Sequence, residues 1–130
     1  MLKPLDGLVG KFGDVWMLVA RVFVGLDLAF GHGWFKLTHF SMFQGMVSKA
    51  FPVAPVFAGL AVLAEVGGGL LLALGLWTRL AAAYIGLELA LAFVMVHHGD
   101  LQQGGLALMF VAFCLAVMAH GPGRISVDGK

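Results

Sequence analysis

Residues 63–83 read LAEVGGGLLLALGLWTRLAAA, and this stretch decides the fold class of the chain. A carboxylate, Glu65, lies inside an apolar segment, glycines follow it closely, and Trp77 and Arg79 end the segment. In a membrane protein, small residues let helix backbones approach each other, and an acid within the bilayer needs a partner. Trp and Arg are typical of the depth at which a helix leaves the hydrocarbon. We therefore interpret the stretch as the end of one transmembrane helix and the start of the next.

The composition indicates that lipid covers much of the molecule. The chain has 130 residues, of which 61% are apolar and 12% charged, whereas soluble domains have about 45–50% and about 25%. A chain this short forms one domain, residues 1–130, and cannot hide that much apolar surface in its own interior. The formal net charge is +1 without a basic tract, which argues against nucleic acid as a partner. Cys114 is the only cysteine, so an intrachain disulfide is excluded.

The hydropathy pattern predicts an all-α fold, a transmembrane four-helix bundle, with the lipid bilayer as its surroundings. The predicted spans cover about residues 15–37, 56–77, 79–96 and 103–119. Almost no loop separates the second span from the third, so these two are antiparallel neighbours, and Thr78 is a candidate cap for the third. Four spans place both termini on one side, and the excess of Lys and Arg on that side predicts that the termini are cytoplasmic.

Three segments outside the spans are expected at the membrane surface. Residues 1–13 mix charged and apolar side chains as an amphipathic segment does. Between the first two spans, residues 38–55 predict a short helix in the headgroup region, with its aromatic side chains, Met42 and Met46 turned to lipid. The polar tail that follows Gly121 is expected to lie along the surface.

Ionisable residues inside the predicted spans are the candidates for function. Each costs about 2.5–3.5 kcal/mol at the bilayer centre, and the four are Arg21, Asp27, Glu65 and Glu88. In one interpretation Arg21 pairs with Glu65 and fixes the helix register, with the other acids protonated. In the other, the intramembrane acids Asp27, Glu65 and Glu88 belong to a polar pocket at mid-depth that binds a ligand head group or passes protons. At 100° per residue, Tyr84 shares a face of the third span with Glu88.

Histidines near the outer ends of the spans raise the question of a metal. Neutral imidazoles together with a carboxylate can bind zinc, copper or iron. The spacing here is scattered, and adjacent histidines point to different faces, so we predict no metal site. The residues concerned are His32, His39, His97, His98 and Asp100.

Several motifs together resemble the DoxX family of small bacterial four-helix membrane proteins. The first span has the family's opening motif, and the second has its most recognisable segment, from Glu65 to Ala82. The close of the chain, residues 121–128, is similar to the family's glycine-proline-glycine-x-x-serine-x-aspartate ending. The remaining matching positions are Arg21, Gly25, Phe30, Gly31, Gly33, Lys36 and Leu37, and His97 or His98.

This resemblance implies a location in the bacterial inner membrane and a set of possible roles. Some members are membrane subunits of thiosulfate:quinone oxidoreductases, and others accompany redox or detoxification assemblies. The first hypothesis is therefore a non-autonomous subunit of a quinone-linked redox or detoxification system, with a soluble or membrane redox partner. Its pocket between the first two spans would bind quinone through Arg21, His32, Lys36 and Glu65.

Two alternatives from other classes remain open, and no catalytic residue is assigned. The protein can be a non-catalytic membrane anchor or assembly scaffold that recruits a soluble enzyme. It can also be a pathway for a small solute or protons that uses the acids at mid-depth. Transporters are commonly built from inverted repeats, and no such repeat is visible, so in that case a homo-oligomer would supply the symmetry.

Overall fold

The computed structural model describes residues 3–129, and this part of the chain is helical without strands. Four helices in it are long and apolar enough to cross a membrane, as the sequence predicts. They are α2 (Gly13–Thr38), α4 (Ala54–Leu74), α5 (Thr78–Met95) and α6 (Leu101–His120). Two shorter helices complete the chain, α1 (Lys3–Lys11) before the first span and α3 (Phe40–Val47) after it. The predicted N-terminal surface segment thus forms α1, except that Met1 and Leu2 lie outside the described residues.

The four long helices form a bundle in which α4 packs against α2 and α5, and α5 packs against α6. Each long helix contributes a buried side chain to one apolar core: Leu28 from α2, Leu72 from α4, Ile85 from α5 and Val117 from α6. The rest of the apolar surface faces outward, as expected for a bundle that lipid surrounds.

Glycines bring α2 and α4 into close contact. A Cβ atom on Gly69 would lie 2.6 Å from the carbonyl oxygen of Gly25, and one on Gly25 would lie 2.7 Å from the amide nitrogen of Ala73. No side chain fits between the two backbones at this crossing, so glycine is required on both helices. This explains part of the glycine run that follows Glu65.

Both of these helices contain a π-helical turn, at Asp27–Gly33 in α2 and Leu63–Gly68 in α4, and the two turns contact each other. Hydrogen bonds in such a turn join residues five apart, and π-turns are frequent at functional sites. The wider turn changes which side chains share a face. Asp27 and His32 lie on different faces at 100° per residue, but in the structure they are in contact.

The turn from α4 to α5 and the C-terminal tail form one unit at the end of the bundle. Gly75 has a φ of 72° and ends α4. The amide of Asp128 donates to the carbonyl oxygen of Gly75 at 2.8 Å, and the amide of Val127 donates to that of Leu74 at 3.2 Å. Residues 122–128 thus fold back onto the end of the bundle. The expectation that this tail lies along the membrane surface stays a prediction.

The cap of α5 also differs from the prediction, which assigned it to Thr78. Asp128 supplies it instead: one carboxylate oxygen accepts from the amide of Trp77 at 2.9 Å. The other accepts from the amide and from the hydroxyl of Thr78, both at 2.7 Å. Thr78 lies within the helix rather than before it, so its hydroxyl binds the cap instead of acting as one.

Helix α3 confirms the predicted helix between the first two spans, but part of its orientation differs. Met42 and Met46 are exposed, as expected. The aromatic side chains instead pack against α4, because its small residues Ala54 and Ala58 leave space for them; they are Phe40, Phe43 and Phe51.

Candidate functional site

A mainly apolar cavity of about 360 Å³ lies among α2, α3, α4 and α5. Aromatic and aliphatic side chains form most of its wall, including Phe43, Phe51, Phe57, Leu87 and Leu91. A few polar side chains share the wall: Lys36, Tyr84, Glu88 and His97. Concave apolar sites with a small number of polar groups are typical of small-molecule binding.

An ion pair between two spans stands beside this cavity. Lys36 Nζ lies 2.6 Å from Glu65 Oε1 and 5.0 Å from the centroid of the Phe43 ring. The Glu65 side chain is 1% exposed and that of Lys36 27% exposed, so the carboxylate is inside the bundle and the ammonium reaches it from the edge. Gly33 makes this possible, since a Cβ there would lie 2.9 Å from the Cβ of Glu65. The partner of Glu65 is therefore Lys36.

Two carboxylate oxygens near the cavity are buried without a hydrogen-bond partner in the described part of the chain: Glu65 Oε2 and Glu88 Oε2. Buried polar atoms in proteins are nearly always hydrogen-bonded, so each such atom requires an explanation. Glu88 lines the cavity. The hydroxyl of Tyr84, one turn before it, already donates to the carbonyl oxygen of Leu60 at 2.9 Å. The two carboxylates thus have free capacity to accept hydrogen bonds, or to donate one when protonated.

Arg21 lies at the opposite end of α2, separated from Lys36 by roughly 20 Å of helix. It is buried, and its Nε donates to the carbonyl oxygen of Leu72 at 2.8 Å. Its two terminal nitrogens donate to the carbonyl oxygens of Pro122 at 2.5 Å and Ile125 at 3.0 Å. The predicted pairing of Arg21 with Glu65 is therefore wrong. The carbonyls of the helix end and the tail satisfy the guanidinium.

His32 also lies away from the cavity. Its Nε2 is 3.2 Å from Asp27 Oδ2, and the two side chains are 35% and 43% exposed. The imidazole and the ring of Phe110 on α6 form a T-shaped pair, with centroids 5.8 Å apart. Of the four residues predicted to form one pocket, the structure brings Lys36 and Glu65 together but leaves Arg21 and His32 elsewhere.

The helical spacing of the third span indicated which of its side chains line the cavity. Tyr84 and Glu88 share one face of the third span at 100° per residue, and both line the cavity, as does Ala92 one turn further. The aromatic residues between the first two spans were expected to face lipid, so the place of Phe43 and Phe51 in the cavity wall was missed. No group of three or more His, Cys, Asp or Glu able to hold a metal ion occurs among the residues that the structure describes.

Comparison with known proteins agrees with the fold. The family model described as DoxX matches residues 16–98. The chain is 33% identical over 126 residues to the inner membrane protein YqjF of Escherichia coli (strain K12), covering 91% of this chain and 93% of the relative. No solved structure is significantly similar to it. The four apolar helices, the family match and the relative together show that this chain is an integral membrane protein and belongs to the DoxX family.

Proposed function

We propose that the protein is a membrane subunit of a quinone-linked redox or detoxification system, and that the cavity beside Lys36, Glu65 and Glu88 binds the quinone head group. The observation that supports this best is the buried oxygen Glu88 Oε2, which has no partner in the described part of the chain and belongs to a residue that lines the apolar cavity. A second such oxygen, Glu65 Oε2, belongs to the residue that pairs with Lys36 of the same cavity wall. A ligand with an apolar ring and polar oxygens would satisfy both features at once.

The residues present fit such a head group in size and chemistry. Small-molecule cavities have volumes of about 300–1,000 Å³, and this one has about 360 Å³. The rings of Phe43, Phe51 and Phe57 in the wall supply apolar surface for a planar ring and the first part of a lipid tail. The Lys36 ammonium can donate a hydrogen bond to a carbonyl oxygen of the oxidised form, and the Glu88 carboxylate can accept one from a hydroxyl of the reduced form.

A bound quinone supplies the two-electron, two-proton redox chemistry in this proposal. The residues of the chain bind and orient the head group, exclude water from it, and hold a proton at the Glu88 carboxyl. The electrons come from a partner protein, or from a substrate that reaches the quinone directly. The protein is then a non-autonomous part of an oxidoreductase.

Two further observations support the bacterial inner membrane as the location and cytoplasmic termini. The relative YqjF is named as an inner membrane protein. Among the basic residues outside the spans, those near the termini and the α4–α5 turn outnumber those at the opposite side, and such a bias marks the cytoplasmic face. A reporter enzyme fused at Lys130 and active only in the cytoplasm would agree with this orientation; activity only in the periplasm would contradict it.

Quinone retention during purification tests the proposal. Protein purified from bacterial membranes in mild detergent is extracted with solvent, and the quinones are measured by mass spectrometry relative to protein. We expect near-stoichiometric quinone for the wild type and a large loss for Glu88→Leu. Asp27→Asn is the matched control, since it alters an acid of a membrane-spanning helix outside the cavity and should keep the quinone.

Three results would contradict the proposal. One is an absence of quinone from the wild type together with no binding of an added short-chain quinone. Another is equal retention by the wild type and Glu88→Leu. The last is a soluble enzyme that co-purifies while quinone does not, which would favour the scaffold. In that case the cavity would be a packing defect rather than a ligand site.

A further inference from the structure

We propose that two copies of this chain form a two-fold symmetric dimer through the face of α2 that carries Asp27 and His32. These two side chains form an acid–base couple, with 3.2 Å between Oδ2 and Nε2, and both are partly exposed on the outside of the bundle. The proposal is independent of the cavity and of what it binds.

The depth of the couple makes contact with lipid unfavourable. Helix α2 has 26 residues, which corresponds to about 39 Å, and Asp27 lies near its middle. At that depth the surroundings are acyl chains, which offer no hydrogen bonds, and an ionised side chain costs about 2.5–3.5 kcal/mol. Polar residues within membrane helices almost always face protein or a water-filled cavity. A side chain that is 43% exposed there therefore needs cover from another protein surface.

Hydrogen-bonding capacity remains on both members of the couple. Their contact uses Oδ2 of Asp27 and Nε2 of His32. A carboxylate has a second oxygen and an imidazole has a second nitrogen, so each can still bind one group of a neighbour.

Gly31 leaves room for the carboxylate of Asp27 on this face of α2. The carboxylate of Asp27 lies over it, because a Cβ on Gly31 would be 2.7 Å from Asp27 Oδ1. The ring of Phe110 on α6 packs against the imidazole of His32, so the chain itself covers that side of the couple.

A second copy fits this face better than a lipid or an unrelated subunit. In a two-fold interface the same patch meets itself, so Asp27 of one copy meets His32 of the other, and the reverse contact forms at the same time. A patch that carries both an acid and a base is thus complementary to the same patch of a second copy. A charged lipid head group would have to leave the interface and enter the hydrocarbon to reach them.

Disulfide crosslinking in native membranes tests the dimer. Cys114 is buried, and its replacement by Ala gives a background without thiols. Phe30→Cys places one thiol at an exposed position of the π-helical turn that carries the couple. Leu63→Cys, at an exposed position of the π-helical turn of α4, is the matched control, since the two side chains are 58% and 62% exposed. We expect a crosslinked dimer for Phe30→Cys and only traces for Leu63→Cys.

A second measurement separates loss of the interface from loss of the fold. The double variant Asp27→Leu, His32→Leu should lose most of the Phe30→Cys crosslink while its thermal unfolding midpoint stays at or above that of the wild type. Native mass spectrometry should then show a dimer for the wild type and a monomer for this variant. Equal crosslinking at both positions, a dimer that persists in the double variant, or a wild type that is monomeric in the membrane would overturn the proposal. A different subunit on this face in place of the second copy would overturn it too.

Discussion

Lys36 of α2 and Glu65 of α4 form an ion pair, with 2.6 Å between Nζ and Oε1, and it joins the first two spans beside the apolar cavity. The pair gives Glu65 a partner for one carboxylate oxygen and leaves the other without one. This contact therefore joins the two helices and leaves one buried carboxylate oxygen of Glu65 without a partner. The other member of the pair, Lys36, lines the cavity where we propose that a head group binds.

Removal of the cation should leave Glu65 charged and unpaired inside the bundle. We expect Lys36→Met to reduce the free energy of unfolding by about 3–5 kcal/mol, the typical cost of a broken buried pair. The double variant Lys36→Met, Glu65→Leu should regain most of this loss, because no buried charge of the pair remains. Unfolding in mild detergent, followed by circular dichroism, measures both values.

Glu88→Leu is the control for this comparison, since Glu88 lines the cavity without a partner for its buried oxygen. It should destabilise the protein less than Lys36→Met does. If the single and the double variant of the pair lose the same stability, the ion pair contributes nothing measurable and the interpretation is wrong.

The crossing of α2 and α4 should depend on glycine at one position and not at another of the same helix. A Cβ on Gly69 would meet the backbone of Gly25, whereas a Cβ on Gly59 would have no atom of a neighbouring element within 4 Å. We expect Gly69→Ala to separate the helices and cost about 1–3 kcal/mol, as overpacking does. Gly59→Ala should be neutral or stabilise by up to about 1 kcal/mol, because Ala favours a helix. Equal effects of the two substitutions on the unfolding midpoint would contradict the close crossing.

The planar guanidinium of Arg21 should not be replaceable by another cation. It donates to carbonyl oxygens of α4 and of the tail in several directions. A lysine ammonium is a compact point charge and lacks the planar set of N–H donors that a guanidinium has. We expect Arg21→Lys to cost about 1.5–3 kcal/mol, the range for hydrogen bonds to charged groups. Arg124→Lys, on an exposed side chain, is the control and should change stability little.

Removal of the C-terminal tail tests the same hydrogen bonds of Arg21 through their acceptors. A chain that ends at Gly121 lacks the carbonyls of Pro122 and Ile125, so it should lose at least as much stability as Arg21→Lys. If the truncated protein unfolds at the wild-type temperature, the tail does not hold Arg21.

Asp128 should make stability depend on pH at the end of the bundle. Hydrogen bonds from the Thr78 amide, then from the Thr78 hydroxyl and the Trp77 amide, hold the pKa of the Asp128 carboxyl below its usual range. A carboxyl group with a lowered pKa stabilises the folded state above its unfolded value of about 3.9, and this contribution is lost as the pH falls through the folded value.

We expect Asp128→Ala to cost about 0.5–2 kcal/mol near neutral pH, as loss of a helix cap does. The difference from the wild type should shrink below about pH 4. Unfolding midpoints measured from pH 7 downward check this, with Asp6→Ala in α1 as the control for an exposed carboxylate. A difference that stays constant as the pH falls would show that the charge of the cap is unimportant.

Much of the fold could be predicted from the sequence because membrane helices are recognised by the length and composition of their apolar segments. The four spans, the helix at Phe40–Val47 and the glycine contact at Gly69 are present in the structure close to where the pattern places them. Each of these depends on local features: apolar length, spacing of aromatic residues, and small side chains.

The partners of the charged residues could not be predicted in the same way. A regular α-helix advances by 100° per residue, but the π-helical turns of α2 and α4 change this advance within each of the two spans. Asp27 therefore meets His32, five residues on. The contact of Arg21 with the tail was invisible because it uses backbone carbonyls, which every residue has and no pattern marks.

Photolabelling tests most directly whether the cavity beside Glu88 binds a quinone head group. The protein in native membranes is exposed to an azido-quinone, illuminated and digested, and the adducts are mapped by mass spectrometry. We predict that adducts concentrate in α3 and in the part of α5 around Glu88, that unlabelled quinone competes with them, and that Glu88→Leu loses them. Adducts spread over the lipid-facing surfaces of the four spans, unaffected by competitor or by Glu88→Leu, would contradict the account.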